Sequence, residues 1–265
     1  MRPNLEITTV VGCRMQCSYC PQSLLISRFS KRPEGNLRKM TFETFKTCLD
    51  KVPSYVEILF AGMAEPWLNP SCTRMLLYAY EKGHPMAVYT TCSGMTLADL
   101  DQFKDVPFIH FCIHLPDAFG QMRMQITTEY VEVVRSCRRL IHNTNFVVYG
   151  PLHPLMAKAL GHDVPDSSLG LISRAGNLPD RTIPRKEGPL HCPACGPELN
   201  HNILMPNGDV ALCCMDYGLD HLLGNLVHQD YEALFKSEAY QKVMRGLKDG
   251  TVDTKCRHCE ISRPD

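Results

Sequence analysis

The 265-residue sequence predicts an α/β fold, a partial (β/α)6 barrel followed by a small, cysteine-rich C-terminal α+β domain, and three observations carry that prediction. Strand-like and helix-like hydrophobic runs alternate through the first 174 residues, giving six strands of the βα type. The strands at 5–11 and 107–115 alternate apolar with partly polar residues, as suits a barrel whose lumen is filled. A linker dense in proline and charge, residues 179–189, then leads into a cysteine-rich tail with a hairpin signal. The boundaries expected are 1–185 for the barrel and 186–265 for the small domain.

Composition narrows the partners. Lys+Arg and Asp+Glu each number 28, so the net charge is zero and neither nucleic acid nor an anionic membrane is expected as a partner. Fourteen cysteines would fit a secreted scaffold, but Met1-Arg2-Pro3-Asn4 leads straight into a strand without a signal-peptide pattern. No apolar run approaches the roughly 18 to 20 residues that span a bilayer. The expectation is a cytoplasmic protein with reduced thiols.

In order, Leu5 to Val11 reads as the first strand, with Leu5, Ile7, Thr9 and Val11 on one face and Glu6, Thr8 and Val10 on the other. Residues 21–40, rich in Arg, Lys, Ser and Pro, read as a surface loop. Thr41 should cap a helix with Phe42, Phe45 and Leu49 on one stripe. Tyr55 to Ala61 is the second strand, 70–82 a helix, Met86 to Thr91 the third strand and Thr96 to Phe103 a helix. In strand four, Pro107 to Leu115, Ile109, Phe111 and Ile113 should pack outward while His110, Cys112 and His114 line the lumen. Thr127 to His142 reads as a helix with Val131, Val134 and Leu140 at helical spacing. Asn145 to Gly150 is strand five and Leu169 to Arg174 strand six.

The chemistry centres on the loop after strand one. Cys13, Cys17 and Cys20 stand as C-x3-C-x2-C, and three thiolates there can hold three irons of a [4Fe-4S] cube and leave one iron open. Zinc would require a fourth ligand that no neighbour supplies at a familiar spacing. A second set lies in the tail: Cys195, then Gly208 after twelve residues, Cys213 after four more, and Cys256 with Cys259 as C-x2-C. Asn207-Gly208 signals a hairpin, and a helix around 230–248 should bring the four sulfurs together. Cys192 and Cys214 compete for adjacent places, and a zinc ribbon using Cys192 with Cys195 is the rival reading.

The C-x3-C-x-aromatic-C loop resembles the radical S-adenosylmethionine (radical SAM) superfamily. The resemblance implies that the open iron chelates SAM, that Tyr19 lies beside the adenine, and that reductive cleavage yields a 5′-deoxyadenosyl radical. Ala61-Gly62-Met63-Ala64-Glu65-Pro66 resembles the superfamily's GGE strand end, with Met63-Ala64 where a glycine is more usual; this implies that Ala61, Gly62 and Glu65 meet the amino group of SAM. The C-x12-G-x4-C…C-x2-C order resembles the twitch domain, a shortened SPASM domain, which implies a second, auxiliary [4Fe-4S] cluster on Cys195, Cys213, Cys256 and Cys259. With six residues after Cys259, one auxiliary cluster is expected.

In size and cluster order the chain also resembles the aminocyclitol (2-deoxy-scyllo-inosamine) dehydrogenase type, and Ser173-Arg174-Ala175-Gly176 resembles a stretch of it. This implies oxidation of a secondary alcohol on a polyol, amino sugar or sugar-like molecule, with Arg174 orienting the substrate, the auxiliary cluster accepting an electron, and flavodoxin or ferredoxin as electron donor. His114 and Asp216 are the candidate bases. An epimerase would draw a hydrogen from Cys112 or Cys92. A maturase of ribosomally made peptides would need a recognition domain, for which the twelve residues before Cys13 leave no room, and an electron carrier would not cleave SAM.

Overall fold

The computed structural model describes residues 2–161, 167–168 and 170–265. Six parallel strands follow one another across the sheet: β1 (Asn4–Ile7), β2 (Glu57–Phe60), β3 (Met86–Thr90), β4 (His110–His114), β5 (Thr144–Val148) and β6 (Ser167–Ser168). Between them run α1 (Gln22–Phe29), α2 (Phe42–Leu49), α3 (Cys72–Glu81), α4 (Leu97–Phe103), α5 (Thr128–Leu140) and α6 (Pro154–Leu160). The outward faces of the strands make the core: Leu5, Ile7, Ile58, Phe60, Val88, Phe111, Ile113 and Phe146 are buried with the apolar stripes of the helices. Ordinary caps start the helices, such as Thr41 on α2 and a reciprocal Thr96/Asp99 box on α4.

The tail does not stand apart from this sheet. After the short β7 (Leu190–His191) come β8 (His201–Leu204), β9 (Asp209–Ala211) and β10 (Leu222–Asn225). Strand β8 pairs in parallel with β1, Leu5 opposite Asn202 and Ile7 opposite Leu204, so that nine strands form one sheet in the order β10-β9-β8-β1-β2-β3-β4-β5-β6. The Asn207-Gly208 hairpin joins β8 to β9 as its sequence signals. Two helices, α7 (Tyr231–Leu234) and α8 (Glu238–Asp249), follow it, and β11 (Arg263–Pro264) pairs with β7. Among the described residues no helix is long and apolar enough to cross a membrane.

Several elements differ from the sequence reading. The 21–40 segment holds α1, because Leu25 and Phe29, one turn apart, bury completely beneath its polar side. In α5 the buried stripe is Tyr130, Val133, Val134 and Cys137, a truer helical spacing than Val131, Val134 and Leu140, and Leu140 is exposed. Ile109 precedes β4 and is exposed as well. The sixth strand is Ser167–Ser168, paired with Val147 and Val148; residues 170–174 are not strand, and Leu169 lies outside the described residues. The expected helix at 230–248 breaks into α7 and α8, since Ser237 turns its hydroxyl onto Tyr240 N–H to begin a new helix.

Candidate active site

The loop leaving β1 carries Cys13, Cys17 and Cys20, all of which line a cavity of about 640 Å³ at the C-terminal ends of the parallel strands. One side chain organises the loop: Gln22 Oε1 accepts the Cys13 N–H at 3.2 Å, which turns its amide nitrogen toward the Met63 carbonyl and toward Cys20 Sγ at 3.3 Å. The end of β2 lies opposite. Gly62 has φ +63°, and its backbone comes so close to Thr8 that a side chain has no room. The result is bare backbone facing the three thiols.

Glu65 lines the same cavity, but its carboxylate is committed to the protein. It accepts from Thr90 Oγ1 at 2.6 Å, from Thr91 N at 2.6 Å and from Thr91 Oγ1 at 2.8 Å, clamping the end of β2 to that of β3. Burial raises its pKa against the pull of those hydrogen bonds. The Tyr19 ring packs tilted against Tyr149, ring centroids 4.3 Å apart.

The inward face of β4 presents His110, Cys112 and His114 to the cavity as its alternation predicts, with Cys112 accepting from Asn145 at 3.7 Å. His110 stacks on Tyr89 and its Nε2 is buried without a hydrogen bond, an orphan that a bound molecule would satisfy. Burial, with Arg174 nearby, pushes His114 down to about 4, so it is neutral at physiological pH. Arg174 reaches in from the other side with its Nε 3.4 Å from the Tyr19 carbonyl.

Two nominated residues lie elsewhere. Cys92 packs in the hydrophobic core beside Cys137, because the backbone turns at φ +59° there and sends its thiol away from the lumen. Asp216 is fully buried and accepts the Asp220 and His221 N–H groups at 3.0 and 2.8 Å, which makes it the clasp of its own loop. Neither can serve a substrate in the lumen.

The residue the sequence reading passed over is Glu6. It projects from β1 into the lumen, where its carboxyl receives hydrogen bonds from the Cys214 thiol and the Gly62 N–H, and burial pushes its pKa up to about 7 despite Arg174. Its signal was present: an acid on the inward face of the strand that feeds the cysteine loop.

The second set of sulfurs meets too. Cys195, Cys213, Cys256 and Cys259, with Cys192 and Cys214, surround a cavity of about 50 Å³. Arg257 fastens this corner, fully buried yet donating to the carbonyls of Lys186, Gly188 and Gly246. Among the described residues no three Cys, His, Asp or Glu side chains converge on the place of a single metal ion. Sulfurs around a hollow suit a multi-iron cube, and a donor set of thiols alone suits iron-sulfur chemistry. Cys214 lines both cavities.

An iron-sulfur cluster-binding domain family, SPASM, matches residues 195–260. No curated protein matches the chain by sequence. Among solved structures, BtrN in complex with AdoMet and 2-DOIA is 18% identical, over 94% of this chain and 88% of that one, with a TM-score of 0.65. Native anSMEcpe with bound AdoMet and the Cp18Cys peptide is 14% identical, over 97% and 86%, at 0.53. SuiB of Streptococcus suis is 13% identical, over 97% and 70%, at 0.53. The chain thus has the fold of BtrN over nearly its whole length, and the segment that matches the SPASM iron-sulfur cluster-binding domain is the one that carries Cys195, Cys213, Cys256 and Cys259.

Proposed function

We propose that the protein is a radical SAM oxidoreductase that oxidises a secondary alcohol of a small polyol, amino sugar or sugar-like molecule. The observation that carries this reading is that one cavity, holding Glu6 and Arg174, is walled by the three-cysteine loop and by Cys214, which also borders the second cysteine cavity. Cys13, Cys17 and Cys20 would hold a SAM-binding [4Fe-4S] cluster, Cys195, Cys213, Cys256 and Cys259 an auxiliary one, with residues 1–185 and 186–265 as the respective units. Once bound, these groups supply reductive cleavage of SAM, removal of a substrate hydrogen atom and acceptance of the second electron.

The protein's own residues do the rest. The bare backbone at Ala61-Gly62-Met63 receives SAM beside the thiols, and Tyr19 lies along it. Arg174 and His110 orient the substrate hydroxyls. Glu6, with a pKa near neutrality, takes the hydroxyl proton as the neighbouring carbon is oxidised, while neutral His114 accepts a hydrogen bond. Loss of one hydrogen atom, one proton and one electron converts alcohol to ketone. A flavodoxin or ferredoxin in the cytoplasm would supply the reducing electron.

Candidate polyols and peptides, incubated anaerobically with SAM and dithionite in deuterated water, test the reading by product mass. Loss of about two mass units supports it. Gain of about one identifies an epimerase, for which Cys112 and Cys214 are the cavity thiols outside the three-cysteine loop, and a modified peptide alone replaces the small-molecule substrate.

A further inference from the structure

Cys20 has a partner from far along the chain. The hydroxyl of Tyr217 lies 3.3 Å from Cys20 Sγ, across 197 positions of sequence. Tyr217 is buried, its ring packed in the small cluster of Val11, Leu25, Phe29, Met63 and Ile203. Its loop is rigidly held: Asp216 N–H donates to the Cys213 carbonyl at 3.0 Å, Asn177 Nδ2 donates to the Met215 carbonyl at 2.7 Å, and the Asp216 carboxylate closes the turn. The same five residues therefore give Cys213 to the second cavity, Cys214 to the wall between the cavities and Tyr217 to the first cysteine loop.

We infer that Tyr217 donates a hydrogen bond to the Cys20 thiolate and thereby raises the reduction potential of the cluster at the three-cysteine site. This rests on the proposed two-cluster reading. A thiolate bound to iron can only accept, so the phenol must be the donor in that pair. The bond is charge-assisted and strengthens when reduction adds negative charge to the cube. Hydrogen bonds to cluster sulfurs are among the levers by which a protein sets cluster potential. Gln22 supplies a second donor to the same sulfur from within the loop. Tyr217 differs in coming from the segment that begins at Cys213, so the loop that lines the second cavity also supplies a donor to the first site.

The test is an EPR-monitored redox titration of the holoprotein. Tyr217→Phe keeps the buried ring and removes only the hydroxyl. It should lower the first-site midpoint, cutting the ratio of reduced to oxidised cluster about tenfold at the wild-type midpoint, a shift of about 59 mV for one electron, with the second site unmoved. Site-specific 3-fluorotyrosine at 217, a stronger donor, should shift the midpoint the opposite way. Equal midpoints in all three proteins, with both signals intact, overturn the inference alone. Absence of any first-site signal, in wild type as well, overturns the proposed function and this inference with it.

Discussion

Gly62 packs against Thr8 with no room for a side chain: a Cβ there would lie 2.3 Å from Thr8 Oγ1 and 2.8 Å from the Thr8 backbone. Thr8 Oγ1 also accepts the Met63 N–H at 3.1 Å, so the exits of β1 and β2 are locked together where bare backbone faces the cysteines. Gly62→Ala should cost about 2 to 5 kcal/mol, from the left-handed conformation and from overpacking. Denaturant unfolding and equilibrium dialysis with SAM should both register it. A variant of wild-type stability would show that the contact relaxes freely.

Cys195 sits between two other sulfurs, sharing hydrogen bonds with Cys192 on one side and Cys213 on the other. The Cys192–Cys195 hydrogen bond pushes the Cys192 thiol down and the Cys195 thiol up. The position nearer Cys213 favours Cys195 as the ligand. Anaerobically reconstituted protein should carry about 8 Fe, two cubes of four. Cys195→Ala should lose about half, Cys192→Ala should retain nearly all, and iron analysis showing the reverse would exchange their roles.

Much of the site was legible because spacing and strand alternation are local properties. The cysteine spacings, the Asn207-Gly208 turn and the inward set His110, Cys112 and His114 required no knowledge of which strands are neighbours. Glu6 was harder to read because its significance depends on Cys214 and Arg174, brought beside it by the pairing of β1 with β8 and by the turn at Arg174. Asp216 misled for the same reason: a carboxylate next to Cys213 is close in sequence, but its acceptors are taken by the turn it closes. Helix α1 was obscured because its short apolar run, Leu24, Leu25, Ile26 and Phe29, leads straight into the basic, Pro- and Gly-containing stretch at 30–39.

Glu65 holds two strand ends together through three short hydrogen bonds and a longer one from Trp67 N–H at 3.3 Å. Glu65→Gln replaces an acceptor by a donor that faces the Thr91 N–H or the Thr90 hydroxyl, leaving buried polar groups opposed. A loss of about 2 kcal/mol is expected. Thermal unfolding measures it, and an unchanged midpoint would mean that the clamp re-forms around the amide.

Glu6 ties the function to pH. Its pKa rises from 4.5 to about 7 on folding, chiefly through burial, so the folded state binds more protons than the unfolded chain between those values. Stability therefore falls as pH rises from about 4.5 to 7, and the cost is complete above 7. Its size is roughly 3 to 4 kcal/mol. Glu6→Gln removes that ionisation, so the variant should gain stability relative to wild type as pH climbs from 5 to 8, whatever constant offset the amide introduces. As a base Glu6 must be ionised, so wild-type product formation should rise through pH 7, whereas the variant should be slow and without that rise. Melting curves of the two proteins at pH 5 and pH 8 decide the matter: a gap that does not change with pH would mean that the Glu6 carboxyl titrates as an ordinary exposed acid and cannot be the group that waits, half-ionised, for the substrate's proton.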